Sequence, residues 1–302
     1  MRYRNEIEED SVPKSAFVAT IGRPSAGKST LLNALCGAKV SIVSPVPQTT
    51  RNAIRGVVTR PEGQLVFVDT PGYHLSDKKI NLKLRDIVLQ SLADVDLILY
   101  VIDAAREPGK EEEAIASMLA KEAGRIVLAI NKIDHPEARP LLVEEFLIPR
   151  FPEARRIKIS AAQRTNLEEL VQALFEKSPE GPLWYPEDVY TDQEPVFRIG
   201  EIIREKAMLH TRAELPHAIA VEYRESTRKP DGTLLARFDI LVERDSQKAI
   251  VIGRQASAIK RIREEAEAEL RELFDYPVKL QLQVVVDPDW RRDEKTLQRL
   301  IF

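Results

Sequence analysis

The sequence has few of the residues that mark several classes of protein. One cysteine, Cys36, occurs in 302 residues, which excludes an internal disulfide framework. The longest apolar runs reach about half of the ~20 residues that span a bilayer, so we predict no transmembrane helix. The N-terminal stretch MRYRNEIEEDSVPKS has no apolar segment of the kind found in a secretory signal. We therefore expect a cytoplasmic protein.

The chain also has no excess of positive charge. Its formal net charge is −3, so contact with a nucleic acid would have to come from a local basic patch. Hydrophobic residues make up 43% and charged residues 31% of the sequence, which is typical of a globular protein. The length is sufficient for two domains of roughly 100–200 residues each.

Short apolar segments alternate with longer amphipathic ones in the first half of the chain. The apolar segments predict strands, which are FVATI, LVFVD, LILYVID, RIVLAI and RIKIS. Helical patterns lie between them at 28–36, 81–92, 110–123 and 166–177. This order predicts an α/β domain, assigned to residues 1–175, with a mostly parallel sheet covered on both faces. Residues 53–59 precede the next strand by a short turn and should pair with it antiparallel at the sheet edge.

A different order of elements begins after residues 176–195, which carry four prolines and several acids and predict an extended linker. Residues 196–302 then read as a small α+β domain. Its predicted elements are a helix at 197–210, strands near 218–227 and 233–243, a short apolar run at 249–253, a helix at 257–274 and a strand at 279–286.

The stretch GRPSAGKS, from Gly22 to Ser29, matches the phosphate-loop pattern G-x-x-x-x-G-K-[ST] between a predicted strand and a predicted helix. Such a loop turns backbone amides toward a phosphate, and the helix start adds a favourable dipole. Lys28 is predicted to bridge the β- and γ-phosphates, and Ser29 to bind Mg²⁺. The predicted nucleotide contacts of this loop are Gly22, Ser25, Ala26, Gly27, Lys28, Ser29 and Thr30.

Two further segments are predicted to form the metal side of the site. In VDTPG, Asp69 is placed to reach Mg²⁺ through water and Gly72 to offer its amide to the γ-phosphate. Lys28, Asp69 and Gly72 are therefore the predicted catalytic residues. In the polar stretch before them, one of Thr49 and Thr50 should complete the metal coordination and be released on hydrolysis, as in a switch.

The residue after DTPG bears on the rate of hydrolysis. The chemistry depends on positioning and charge neutralisation, with water as the nucleophile. Tyr73 stands where a glutamine would orient that water. We therefore predict slow intrinsic hydrolysis.

The choice of base is predicted by NKID, which ends a later strand. Asp134 can accept from N1–H and the 2-amino group of guanine, whereas adenine offers neither donor, a mismatch on the order of 10^4-fold. Asn131 should brace the site, and the stem of Lys132 should cover one face of the base. The stretch ISA places Ser160 and the Ala161 amide near the guanine carbonyl. The motifs together predict GTP or GDP rather than ATP.

Several stretches of the chain resemble one family. The resemblance to the GTPase domain of the Era family, bacterial ribosome-assembly factors, rests on GRPSAGKSTLLNAL, SIVSPVPQTTR, DTPGYH and NKID. The resemblance to that family's type II KH domain, of αββααβ order, rests on IIREKAMLHTRAELPHAIAVE, RDSQKAIVIGRQASAIKRI and VKLQLQVVVDPDWRRDE. It implies a monomeric, cytoplasmic protein that binds near the 3′ end of small-subunit ribosomal RNA under GTP control during 30S maturation. It also implies peripheral association with the inner face of the cell membrane.

Two residues depart from the family's pattern. Ser25 stands where the phosphate loop usually carries an asparagine linked to potassium-stimulated hydrolysis, so the sequence leaves potassium dependence open. In the KH loop, which clamps about four nucleotides by its amides, the G-x-x-G pattern reads GRQA and ends at Ala256. Alanine can begin a helix without strain if φ is negative there. The predicted RNA-binding residues are Gly253, Arg254, Gln255, Ala256, Lys260 and Arg261.

Two alternatives remain open from the residues alone. In the first, the chain is a GTPase whose glycine-poor KH-like domain docks a protein rather than RNA. In the second, it is an ATP-dependent metabolic kinase, which would need a base site without NKID.

Overall fold

The computed structural model describes residues 12–44, 46, 49–73 and 79–300. The first half of the chain forms a six-stranded sheet in these residues. Its strands are β1 (Lys14–Ile21), β2 (Ile54–Arg60), β3 (Gly63–Asp69), β4 (Leu97–Asp103), β5 (Ile126–Asn131) and β6 (Arg155–Lys158).

The spatial order of this sheet is β2-β3-β1-β4-β5-β6. All neighbouring pairs are parallel except β2 and β3, which pair antiparallel because a short turn joins them. The predicted mostly parallel sheet and its antiparallel edge are both confirmed. Every residue of β3, β4 and β5 is buried, as expected for strands covered on both faces.

Helices cover both faces of the sheet. They are α1 (Lys28–Cys36), α2 (Lys79–Ala93), α3 (Lys110–Leu119), α4 (Pro140–Leu147) and α5 (Leu167–Lys177). One apolar cluster packs α1 and α5 on one face, and a second packs α2, α3 and α4 on the other. Helix α4 was not predicted: it is only eight residues long, too short for a clear helical period. No helix within the described ranges is long and apolar enough to cross a bilayer.

The segment after α5 is extended and bonded to the first domain. Trp184 packs on Phe17 with ring centroids 4.7 Å apart. The Gln64 side chain accepts from the amides of Trp184 and Tyr185 at 3.0 Å. Near its end, Asp192 pairs with Arg55 at 3.0 Å. This segment therefore runs from β1 past β3 to the edge strand β2.

The second half of the chain has the order αββααβ followed by one more helix. Its elements are α6 (Pro195–Leu209), β7 (Ala220–Arg228), β8 (Leu234–Val242), α7 (Asp245–Ile252), α8 (Ser257–Leu273), β9 (Val278–Val286) and α9 (Glu294–Leu300). The three strands lie in the order β7-β8-β9, with β7 antiparallel and β9 parallel to β8. Helices α6 and α8 pack on the sheet around a separate apolar core.

Two features of this half were not resolved by the sequence patterns. The apolar run at 249–253 contains the last turn of α7, whose start is fixed by Gln247: its side-chain oxygen accepts from the amides of Glu243 and Arg244. The run does not predict a helix, because its β-branched residues favour strands over helices. Helix α9 was not predicted either.

Candidate functional site

The loop between β1 and α1 is packed closely against two other strand ends. A Cβ at Gly22 would lie 2.3 Å from the carbonyl oxygen of Val101, and a Cβ at Gly27 would lie 2.3 Å from Nδ2 of Asn131. Gly27 also has φ 94°, in the left-handed region. Neither position can hold a larger residue without displacing a neighbour. Ser25, at the exposed tip, has φ 63°.

Lys28 lies on the inner side of this loop and is buried. Its ammonium donates to the carbonyl oxygens of Gly22 at 3.0 Å and Arg23 at 3.1 Å. Burial lowers the pKa of Lys28 to about 8, although the charge of Asp69 opposes the shift. The loop borders a cleft of about 400 Å³, whose lining includes Ser29, Thr30, Thr50, Gly72, Arg106 and Lys132.

A cluster of oxygen atoms forms at the start of α1. The Ser29 hydroxyl donates to Asp69 Oδ2 at 2.8 Å and lies 2.9 Å from the Thr50 hydroxyl. The Ser41 hydroxyl also donates to Asp69 Oδ2 at 2.8 Å. Asp69 Oδ1 is buried and has no hydrogen-bond partner, and burial raises the pKa of this carboxyl. An unpartnered carboxylate oxygen beside two hydroxyls fits a hard cation such as Mg²⁺.

The two switch threonines differ in their surroundings. The Thr50 hydroxyl is 3.5 Å from Asp69 Oδ2 and belongs to the oxygen cluster. The Thr49 hydroxyl donates instead to the Val46 carbonyl at 2.7 Å and lies 3.2 Å from the Ser44 hydroxyl. Thr49 therefore holds its own loop, and only Thr50 of the pair reaches Asp69.

Gly72 packs directly against the phosphate loop. A Cβ at this position would lie 2.6 Å from the backbone N and Cα of Pro24. The Tyr73 amide donates to the Gly22 carbonyl at 3.1 Å. The DTPG segment and the phosphate loop are thus in contact through backbone atoms.

The far end of the site is organised by Asn131, which is buried. Its side-chain amide donates to the Ala26 carbonyl at 2.9 Å, and its side-chain oxygen accepts from the Ala161 amide at 3.0 Å. Asn131 therefore joins the phosphate loop to the ISA stretch. Lys132, with φ 64°, pairs with Asp103 at 2.8 Å. Asp134 is exposed in the following turn.

The ISA stretch is fixed by a short turn. Ser160 is buried, and its hydroxyl oxygen accepts from the Gln163 amide at 3.0 Å. Ser160 also forms an isolated bridge with Thr165. These bonds hold the Ala161 amide at the end of β6.

A buried ion pair behind the phosphate loop was missed by the sequence analysis. The Arg23 Nε lies 2.9 Å from Glu112 Oε1, and both side chains are almost fully buried. Burial raises the pKa of Glu112, while the charge of Arg23 lowers it. A sequence signal was present, since Glu112 is the third residue of a predicted helix, but its partner lies 89 residues earlier.

The loop between α7 and α8 is exposed and contains three residues with positive φ. Gly253 has φ 73° and ψ 172°, and a Cβ there would lie 2.8 Å from the backbone N of Ala258. Gln255 and Ala256 have φ 50° and 59°. The condition under which Ala256 would fit without strain, a negative φ, is therefore not met. The reason is that Ala256 caps α8 in the left-handed conformation, which glycine adopts more easily.

The polar residues of this loop and of the first turns of α8 are exposed to solvent. Arg254, Gln255, Lys260 and Arg261 are all exposed. Lys260 has a long ion pair with Glu264, at 3.8 Å, between two exposed side chains. Such a pair contributes little, so the ammonium is available to another anion.

Two parts of the sequence match known families. Residues 17–132 match the family described as 50S ribosome-binding GTPase, and residues 214–291 match the KH domain. The GTPase Era of Treponema denticola is 48% identical over 292 residues, which cover 95% of this chain and 99% of that protein. The GTPase Era of Treponema pallidum is 41% identical over 319 aligned positions, which cover 98% of this chain and 100% of that protein.

Solved structures of Era share the fold over nearly the whole chain. A variant of Aquifex aeolicus Era bound to GDP·AlF4⁻ has a TM-score of 0.90 at 37% identity, covering 95% of this chain and 98% of that one. Era in complex with MgGDPNP and nucleotides 1506–1542 of 16S ribosomal RNA has a TM-score of 0.90 at 36% identity, with the same coverage.

Proposed function

The chain belongs to the Era family of GTPases, and on this premise we propose that it is a GTP-controlled switch that binds small-subunit ribosomal RNA and assists 30S assembly. The nucleotide side of the proposal rests chiefly on the oxygen cluster of Ser29, Thr50 and Asp69 beside the phosphate loop. The RNA side rests on the exposed basic loop after Gly253.

The phosphates of GTP are assigned to the loop from Gly22 to Thr30. Lys28 would neutralise phosphate charge, and the amides that open α1 would donate to phosphate oxygens. Ser29, Thr50 and Asp69 would hold Mg²⁺, with the free Asp69 oxygen supporting this assignment. Held by these residues, the ion would supply charge neutralisation to the phosphates.

Hydrolysis is proposed to depend on position rather than on a side-chain base. The contact of Gly72 with Pro24 supports its role as an amide donor at the γ-phosphate. Tyr73 offers no side-chain amide to orient water, in keeping with slow intrinsic hydrolysis. A single-turnover rate of tens per second in the protein alone would contradict this part.

Guanine is assigned to Asn131, Lys132, Asp134, Ser160 and Ala161. Asp134→Asn tests the assignment, because an amide can pair with xanthine, which has an acceptor where guanine has the 2-amino group. We expect GTP affinity to fall about 10^3-fold or more and XTP affinity to rise. Glu137→Gln, a change at an exposed acid nearby, is the control. Unchanged GTP affinity in Asp134→Asn, or no gain in XTP affinity, would contradict the assignment.

RNA is assigned to the loop residues Gly253 to Ala256 with Lys260 and Arg261. The support comes from the exposed charges and from the Era relative that is bound to nucleotides 1506–1542 of 16S ribosomal RNA. The full chain with a GTP analogue should bind a single-stranded RNA from that 3′ region, with affinity that falls as salt rises. Absence of salt-sensitive binding would favour a protein-docking role for this domain.

The limits of the two domains are proposed as 1–175 and 196–302, with a linker at 176–195. In support of these limits, α5 ends at Lys177 and α6 begins at Pro195, each within two residues of a proposed limit. Residues 1–11 and 301–302 of those ranges lie outside the described residues. The monomeric state, the cytoplasmic location and the membrane association stay predictions from the family resemblance.

A further inference from the structure

Two short stretches of the first domain contact the second domain, and the second of them carries Thr49 and Thr50. They are residues 39–44, called here the first switch stretch, and residues 49–52, called the second switch stretch. Both stretches meet buried charged side chains of the second domain. Nothing in the nucleotide chemistry described above uses those side chains.

Glu205 of α6 holds the first switch stretch. One of its oxygens accepts from the Val43 amide at 2.9 Å, and the other lies 2.6 Å from the Lys39 ammonium. Glu269 of α8 pairs with the same lysine, and Lys206 pairs with both glutamates. The two ammonium groups and the two carboxylates balance in charge, which offsets the cost of burying the Glu205 carboxylate.

Arg204 of α6 holds the second switch stretch. Its guanidinium donates to the Thr49 carbonyl at 2.5 Å and is fixed by two bonds to Glu201, at 2.6 and 2.7 Å. The Arg204 side chain is 3% exposed. A planar guanidinium that a carboxylate already orients makes a rigid donor.

Arg51 extends the same interface from the first domain. Its guanidinium donates to the carbonyl oxygens of Ile219 at 2.8 Å and His217 at 3.2 Å. It also lies over the ring of Trp290, 5.3 Å from the centroid. The second switch stretch is therefore held on both sides of Thr50.

The residues between these anchors are the ones that reach Asp69. Ser41 lies between the two residues that Glu205 holds, and its hydroxyl donates to Asp69. Thr50 lies between the two anchored residues of the second switch stretch, and its hydroxyl joins the same oxygen cluster. Each hydroxyl that the switch brings to Asp69 is thus fixed by bonds to the second domain.

We propose that Arg204 and Glu205 are positioning residues for GTP hydrolysis, which hold Thr50 and Ser41 against Asp69 from the second domain. The metal side of the GTPase site is then complete only while the two domains are docked. This inference rests on the proposed nucleotide site. It adds that α6 of the RNA-binding domain sets the geometry of that site.

The test measures the Mg²⁺ dependence of GTP hydrolysis in the full chain with Glu205→Gln. This change removes the charge and keeps the shape, so Val43 and Lys39 are held less firmly. We expect the Mg²⁺ concentration for half-maximal rate to rise about tenfold and the rate at saturating GTP to fall. GDP affinity without Mg²⁺ should change less than about twofold. Glu214→Gln, at an exposed acid of the same domain, should behave as the wild type.

A double-mutant cycle distinguishes positioning from general stability. Ser41→Ala leaves the interface intact but removes one hydroxyl from Asp69, so it should raise the Mg²⁺ requirement by itself. If Glu205 acts through Ser41, the double variant should be scarcely worse than the more affected single variant. Additive effects, or an unchanged Mg²⁺ requirement in Glu205→Gln, would overturn the inference. If Glu205→Gln does not fold, Arg204→Lys with Thr50→Val, which removes the Thr50 hydroxyl and keeps the branched shape, gives the same comparison. A wild-type chain that does not bind or hydrolyse GTP would instead contradict the proposed function.

Discussion

The phosphate loop after β1 and the exposed loop before α8 have the same backbone feature, a left-handed residue before a helix, but different residues adopt it. Both end in a left-handed residue that caps a helix, Gly27 in the first and Ala256 in the second. Both also carry a non-glycine residue with positive φ, Ser25 and Gln255. The difference lies in the surroundings: a Cβ at Gly27 would lie 2.3 Å from Nδ2 of Asn131, whereas Ala256 is exposed.

This comparison separates two reasons for a glycine. A left-handed conformation costs other residues roughly 1–2 kcal/mol, which an exposed loop can tolerate. Close approach of another group excludes a side chain altogether. Both reasons for a glycine apply at Gly27 of the phosphate loop. At Ala256 of the second loop only the left-handed conformation applies.

The largest effect is expected at the packed position. In Gly27→Ala, the added Cβ would overlap the Asn131 side chain, which also holds Ala161. We expect GTP affinity to fall about 100-fold, measured with a fluorescent nucleotide. The control is Gly124→Ala, at a position with no heavy atom near the added Cβ. A loss below about threefold would show that the close approach is not what the glycine serves.

A smaller effect is expected at the first residue of the second loop. Gly253→Ala places a Cβ 2.8 Å from the Ala258 backbone N, at φ 73°. The loop must rearrange, so RNA affinity should fall about tenfold. Binding is measured by fluorescence anisotropy in the full chain, and nucleotide affinity reports whether the first domain is intact. Unchanged RNA binding would place the RNA elsewhere on the domain.

The positive charge near the second loop gives a further comparison, between two exposed arginines of the second domain. Arg261→Gln should weaken RNA binding a few-fold and reduce the slope of log affinity against log salt by about 0.7, the value for one phosphate contact on a single strand. Arg212→Gln, at another exposed arginine of this domain, is the matched control. Equal slopes in the two variants would argue against a phosphate contact at Arg261.

The smallest effect is expected at the exposed cap. Ala256→Gly relieves the left-handed strain and should stabilise the protein by up to about 1 kcal/mol. The same change inside α8, Ala268→Gly at an exposed position, should destabilise it by about 1 kcal/mol. Urea unfolding followed by circular dichroism measures both. If both changes destabilise the chain, the left-handed cap carries no strain. Tighter RNA binding in Ala256→Gly would further support the RNA assignment.

The parts of the site that could be predicted depend on residues close together in sequence. The phosphate loop and NKID each lie within one strand–loop–helix unit, so their motifs predict their geometry. The left-handed φ of Ala256 could not be predicted, because alanine at a helix start gives no signal of its backbone angle. The Arg23–Glu112 pair and the contacts of Arg204 and Glu205 with the switch stretches depend on how distant elements pack. No pattern in the sequence reports that packing.

The attachment of the segment between the domains limits how the second domain can move. The segment is attached to the first domain at Trp184 and again at Asp192, three residues before α6 begins at Pro195. The Gln193 side chain also donates to the Val40 carbonyl at 2.8 Å, within the first switch stretch. Almost no free chain therefore remains between the last contact of this segment with the first domain and the start of α6. Any rotation of the second domain would have to pivot beside the first switch stretch. Such a rotation would therefore disturb the contacts that Gln193 and Glu205 make with the first switch stretch.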